Sequence, residues 1–113
     1  MLIRQAIQPD YDTWILKVSI PFIAVNYIAA FACLYMFGSV VDSSGKPIEG
    51  VWSHFYFSAV TFTTLGYGNI VPADTWTQFV AVIEALFGLI GIALGIGLVA
   101  AIAMKRIEVD EKE

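Results

Sequence analysis

Six consecutive residues, Thr64, Leu65, Gly66, Tyr67, Gly68 and Asn69, hold the chemistry of this 113-residue chain. Their offer is backbone rather than an acid, a base or a nucleophile. A run of carbonyls that all face one way, joined by the Thr64 hydroxyl, can replace the hydration shell of a bare cation. Such a run needs positive φ at intervals, and Gly66 and Gly68 supply it without a Cβ penalty. Leu65 and Tyr67 can then turn outward and wedge the strand against its surroundings. The competing reading of Gly66-Tyr67-Gly68 is a glycine-rich turn in a loop, and the flanking segments decide between the two.

Those flanks belong to a membrane protein. The chain is 58% hydrophobic and only 14% charged, far from the soluble average. Its net charge of -4 comes largely from the last six residues, and there is no basic footprint for nucleic acid. Cys33 is the single cysteine, so no intrachain disulfide forms, and its apolar setting predicts a small buried hydrophobe. The first ten residues lack an apolar stretch and a small-residue cleavage site, so no signal peptide is expected there.

Residues 18–37 carry no charge and match the roughly 20 residues that a hydrocarbon core requires, which predicts a first span. Pro21 fits an early turn or mild kink, and Asn26 is expected to face protein. Before it, residues 1–13 space Leu2, Ile3, Ala6 and Ile7 like an amphipathic helix lying on the cytoplasmic leaflet, with a frayed tail as the alternative. Tyr11 and Trp14 are interface anchors. Residues 38–50 are polar and turn-rich and read as an outer turret. Residues 51–63 predict a helix too short to span, hence a re-entrant pore helix whose C-terminal dipole favours a cation beyond Thr63. The filter stretch occupies residues 64–69, and Asp74 and Thr75 mark a helix start. Residues 75–104 form the second span, whose only charge is Glu84, and residues 105–113 a charged tail too poor in apolar content to fold alone.

Arg4, Lys17, Lys105, Arg106 and Lys112 flank the spans on one side and only Lys46 on the other. Both termini are therefore expected in the cytoplasm of a multi-pass plasma-membrane protein, with anionic lipid head groups near Arg4, Lys105 and Arg106. No arginine ladder crosses the spans, so voltage sensing of that kind is not expected.

Span, short helix, Thr-Leu-Gly-Tyr-Gly and span together resemble a two-transmembrane potassium channel subunit over the whole chain. The pore region of bacterial inward rectifiers is similar in finer detail: Asn26, the Phe55-Tyr56-Phe57-Ser58 run, Glu84-Ala85-Leu86-Phe87-Gly88, Gly91-Ile92-Ala93-Leu94 and Gly97-Leu98-Val99 carry that likeness. The resemblance implies an all-α homotetramer with four filter strands around one axis and no enzyme activity. It also implies K+, as the transported ion, at the carbonyls of Thr64, Leu65, Gly66 and Tyr67, with Gly68 at the outer mouth. No cofactor is expected. The chain departs from that family in three ways. Bacterial inward rectifiers continue into a large cytoplasmic β-sandwich, so a minimal channel and an isolated pore are both open and gating by such a domain does not carry over. Ala100 stands near a level where an aromatic plug is common, and Asn69 and Val60 replace a carboxylate pair that braces some filters.

Thr63, Asn69 and Glu84 are the candidate filter supports. Glu84 is expected to bond pore-helix hydroxyls such as Thr61 or Thr63, a structural role weighed above direct ion binding. Gly88 is the candidate gating hinge, while Gly91 and Gly95 form a small-residue packing face. Leu89, Ile92 and Ile96 are candidate cavity-lining residues, all apolar, so strong block by cytoplasmic polyamines is not expected. His54 reads as a packing or interface residue. Two rivals to a potassium-selective channel are a non-conducting structural or regulatory membrane subunit and a weakly selective cation channel.

Overall fold

The computed structural model describes residues 10–112. Three helices and two short strands alternate: α1 (Asp10–Tyr35), β1 (Val40–Asp42), α2 (Gly50–Phe62), β2 (Ile70–Pro72) and α3 (Thr75–Glu111). The expected interfacial helix lies outside the described residues for positions 1–9, and from Asp10 onward the chain already belongs to α1. Pro21 sits inside α1, which continues through it to Tyr35. The tail beyond Met104 is helical through Glu111. A helix already nucleated in the apolar span extends at little further cost, whereas the same residues alone would not start one. Glu108 and Lys112 form an i,i+4 ion pair at 3.3 Å on that extension.

α1 and α3 are long and apolar enough to cross a membrane over Trp14–Tyr35 and Thr75–Glu111. Their outward faces carry large apolar side chains, with Phe22 67%, Phe79 61% and Leu94 70% exposed. So much continuous apolar surface demands lipid or protein as its solvent. Cys33 is on this outward side rather than buried, because α1 hides only a narrow stripe of itself. Asn26 also faces outward, and instead of packing on another element it donates from Nδ2 to the Phe22 carbonyl one turn back at 2.8 Å.

The interior is small. Phe31, Tyr35, Val40, Phe57 and Val80 form one buried cluster contributed by all three helices and β1. Tyr35 and Phe57 meet edge to face with centroids 4.7 Å apart, and Tyr27 tilts against Phe62 at 5.6 Å. On α3 the buried positions are Thr77, Val80, Glu84 and Gly88, a single stripe at spacings of three and four. Gly88 is where that stripe runs closest to α2. A Cβ there would overlap the Phe62 carbonyl oxygen and sit 2.9 Å from its carbon, so the helices approach backbone to backbone. Gly91, Gly95 and Gly97, by contrast, face open space in the single chain.

At the end opposite the Lys105–Arg106 pair, three contacts tie α1 to α3. The strands β1 and β2 pair antiparallel with Val41 opposite Val71, a feature not evident in the polar composition of residues 38–50. Trp76 donates from its indole, at 3.0 Å, to the Leu34 carbonyl, which also accepts the Phe37 amide at the end of α1. Asp74 caps α3 in a full capping box with Thr77 and also accepts the Ser39 amide at 3.0 Å. Gly38 leaves room for this clamp, since a Cβ would come within 2.6 Å of Thr77 and 2.9 Å of the Asp74 carboxylate.

Hydrogen bonds from the Thr77 hydroxyl and amide, with lesser help from Ser39, hold the Asp74 carboxyl below the usual carboxylate range. A depressed folded-state pKa stabilises the fold above the unfolded value and loses that contribution as pH falls through the folded value. Thermal melts of the detergent-solubilised protein should therefore drop on acidification below about pH 3.9. Asp42, lowered in the same direction by Ser44 and Lys46, adds to the same window. The part due to Asp74 is isolated by Asp74→Asn, which should be less stable at neutral pH and lose less on acidification.

The glycine contacts give a second expectation. Gly88→Ala should cost roughly 1–3 kcal/mol by overpacking against Phe62, whereas Gly95→Ala should not destabilise a lone chain. Equal melting temperatures for the two variants would contradict the close approach at Gly88.

Candidate functional site

The stretch after α2 begins as a helix end and becomes something else. Thr63 closes the helix with its amide on the Ala59 carbonyl at 3.0 Å and its hydroxyl on the same carbonyl at 2.8 Å. The Thr64 amide then donates to Thr61 at 3.1 Å and the Gly66 amide to Val60 at 3.2 Å, which pins the first turn of the stretch to the last turn of α2. The side chain of Val60 offers no carboxylate to this region, but its carbonyl oxygen does fix the position of Gly66.

From there the backbone alternates. Thr64, Gly66 and Gly68 have φ of 62°, 56° and 81°, while Leu65 and Tyr67 do not have positive φ. Alternating hand from residue to residue turns successive peptide planes toward the same side, unlike the strand geometry in which carbonyls point to opposite edges. Gly66 and Gly68 are glycine because of backbone angle and not for want of room: an added Cβ would meet nothing within 4 Å. Thr64 is the only non-glycine residue with positive φ among those described, a position the residue types did not flag. Residues 63–69 are all exposed in the single chain, with Leu65 56% and Tyr67 66% accessible. Asn69 thus stands open at the far end, immediately before β2 carries the chain back to α3.

Behind this stretch lies a polar knot in the apolar interior. Glu84, Ser58 and Tyr35 are each 0% exposed. Tyr35 donates its phenolic proton to Glu84 Oε2 across a separation of 2.5 Å. Ser58 Oγ lies 2.5 Å from Glu84 Oε1 and 2.8 Å from the Ile28 carbonyl of α1. The expected partners of Glu84, Thr61 and Thr63, are occupied otherwise: Thr61 donates back to Phe57 at 2.8 Å and Thr63 to Ala59. The reason is helix phase. Ser58 lies on the buried face of α2, while Thr63 has left the helix and faces outward. The signals available for the real partners were Ser58 as a small hydroxyl within an aromatic run and Tyr35 as a polar tip near the end of a span.

Leu89, Ile92 and Ile96 lie on α3 beyond its last buried position, Gly88, and all three are exposed in the single chain. The candidate hinge at Gly88 is pressed against Phe62 within a helix that is continuous from Thr75 to Glu111. His54 donates from Nδ1 to the Gly50 carbonyl, one turn back in its own helix, at 2.8 Å. Among the described residues no group of three or more His, Cys, Asp or Glu side chains gathers as a metal site.

Known proteins are similar to this chain over part of its length. Two-pore potassium channel 5 of Arabidopsis thaliana is 36% identical over 67 residues, which is 59% of this chain and 16% of that protein. Two pore potassium channel a of Oryza sativa subsp. japonica is 36% identical over 74 residues, 65% of this chain and 21% of that protein. The inward rectifier potassium channel Kirbac3.1 of Paramagnetospirillum magnetotacticum is 32% identical over 73 residues, 65% of this chain and 24% of that protein. The chain thus spans about a quarter or less of the length of these relatives. Residues 22–105 match the ion channel family, a region that holds most of α1, all of α2, the alternating stretch and the membrane-crossing part of α3. With two apolar helices flanking that stretch, the chain is a membrane protein of the ion channel family.

Proposed function

We propose that this chain is the pore-forming subunit of a homotetrameric potassium-selective channel that conducts K+ passively. The observation that carries the reading is the alternation of backbone hand at Thr64, Gly66 and Gly68 in a stretch that is wholly exposed on one chain. Four such stretches around an axis would surround a dehydrated cation with the carbonyls of Thr64, Leu65, Gly66 and Tyr67 and the Thr64 hydroxyl. Gly68 would form the outer mouth. In this reading α2 is the re-entrant pore helix, its C-terminal end directed at a central cavity lined by Leu89, Ile92 and Ile96. Thr63, Asn69 and Glu84 support the filter from their separate positions, and Gly88 is both a packing point and the site where the inner helix would bend.

Placement follows from the same reading. The charge asymmetry puts both termini in the cytoplasm of a plasma-membrane protein, with Arg4, Lys105 and Arg106 near anionic head groups. The relatives whose names identify them as potassium channels support the ion, and the intact Gly66-Tyr67-Gly68 speaks against a weakly selective pore.

The test is flux of potassium against sodium in liposomes holding the purified full chain, with barium as blocker. Barium-sensitive flux with strong potassium preference is expected. Gly66→Ala and Gly68→Ala should abolish it, because alanine at positive φ is strained by about 1–2 kcal/mol and would turn its peptide plane away. Gly45→Ala is the control: Gly45 has φ of 82° and open space but lies in the outer turn, so flux should survive. A pure, assembled protein that passes neither ion would instead be a non-conducting subunit.

A further inference from the structure

The knot behind the alternating stretch has a proton count that a carboxylate does not satisfy. Ser58 Oγ makes two close oxygen contacts, 2.8 Å to the Ile28 carbonyl and 2.5 Å to Glu84 Oε1. A hydroxyl owns one proton, and a carbonyl and an ionised carboxylate are both acceptors only. With Glu84 ionised, one of those contacts would hold two lone pairs facing each other in a site that is 0% exposed. Tyr35 cannot supply the missing hydrogen, since its own proton goes to the other carboxyl oxygen, Oε2. Thr61 does not supply it either, because its hydroxyl is spent on the Phe57 carbonyl. The titratable groups that act on Glu84 from the facing helix are Tyr35 and Tyr27 of α1, and neither brings positive charge.

We propose that Glu84 is held as a neutral carboxylic acid, donating from Oε1 to Ser58 so that Ser58 can donate to Ile28, and that it acts as a positioning residue for the Thr64–Gly68 backbone. Three protons then serve three contacts: Glu84 to Ser58, Ser58 to the Ile28 carbonyl, and Tyr35 to Glu84 Oε2. Each of the three helices enters the chain of bonds, α3 through Glu84, α2 through Ser58 and α1 through Tyr35 and Ile28. Ser58 is thereby fixed in rotation and height. One to two residues beyond it lie Ala59 and Val60, whose carbonyls receive the Thr63 and Gly66 amides. The positioning part of this proposal rests on the conduction reading above, and the protonation part stands on the contacts alone.

The deciding measurement is carbon-13 solid-state NMR of the full chain in lipid bilayers at neutral pH. Glu108 and Glu111, both exposed on the same helix, serve as internal references. The Glu84 carboxyl carbon should resonate upfield of theirs, at the position of a protonated acid, and stay there into mildly alkaline buffer. A Glu84 resonance that coincides with the two references overturns the proposal. The positioning role is read separately by two variants: Glu84→Ala, which removes the donor to Ser58, should lower the potassium-to-sodium flux ratio several-fold, and Glu84→Gln, whose amide keeps a donating and an accepting group, should restore it to within about twofold of the parent. An assembled Glu84→Gln protein that has lost its ion preference refutes positioning by a neutral donor. If the parent itself carries no ion, the conduction reading fails while the NMR result still decides the state of Glu84.

Discussion

The fold depends on the crossing of three helices at Glu84. In lipid there is little hydrophobic drive to bring helices together, because the tails are as apolar as the side chains they would replace. What remains is close packing and buried hydrogen bonding. Both occur within one turn of α3: Glu84 binds Tyr35 and Ser58, and Gly88 lets the backbone of α3 meet the end of α2 at Phe62. The five-residue apolar cluster around Tyr35 and Phe57 fills the space above them. Without that crossing, α2 would be a short helix with few contacts and no fixed direction, and the stretch that follows it would have no fixed start.

Two kinds of glycine are separated by this arrangement. Gly66 and Gly68 answer a demand of backbone angle and have empty space around them, so their requirement is local and would exist in an isolated peptide of the same shape. Gly88 has ordinary helical angles and answers a demand of space imposed by another element. Gly38 is of the second kind, making room for the Asp74 clamp at the other end of the molecule. The same residue type therefore marks the stretch of alternating backbone hand in one place and the supports of its scaffold in another.

Much of the arrangement was legible in the residues. Uncharged length announced α1 and α3, shortness and aromatic content announced α2, and Gly66 and Gly68 announced a backbone of unusual hand. A carboxylate in a span could be recognised as buried, but its partners could not be chosen: Ser58, Thr61 and Thr63 are all hydroxyls within two turns, and only the rotation of α2 decides which one faces inward. The pairing of β1 with β2 was hidden because three-residue strands carry no measurable alternation and sit among turn residues. Thr64 at positive φ was hidden because threonine has no preference for it, and the surrounding hydrogen bonds impose it. The helical state of the tail was hidden because residues 105–111 do not start a helix by themselves, and the helix reaches them from an apolar span already formed.

That unbroken helix has a mechanical side. At 37 residues α3 is about 55 Å long, well beyond the hydrocarbon thickness of about 30 Å. It does not stop where the charges begin at Lys105 and Arg106 but continues as the same stiff rod to Glu111. A torque or sideways pull applied to its charged end would thus act on one continuous helix that carries Gly91, Gly95 and Gly97 between that end and Gly88. At Gly88 that helix lies against the backbone of α2 at Phe62, two residues before Thr64.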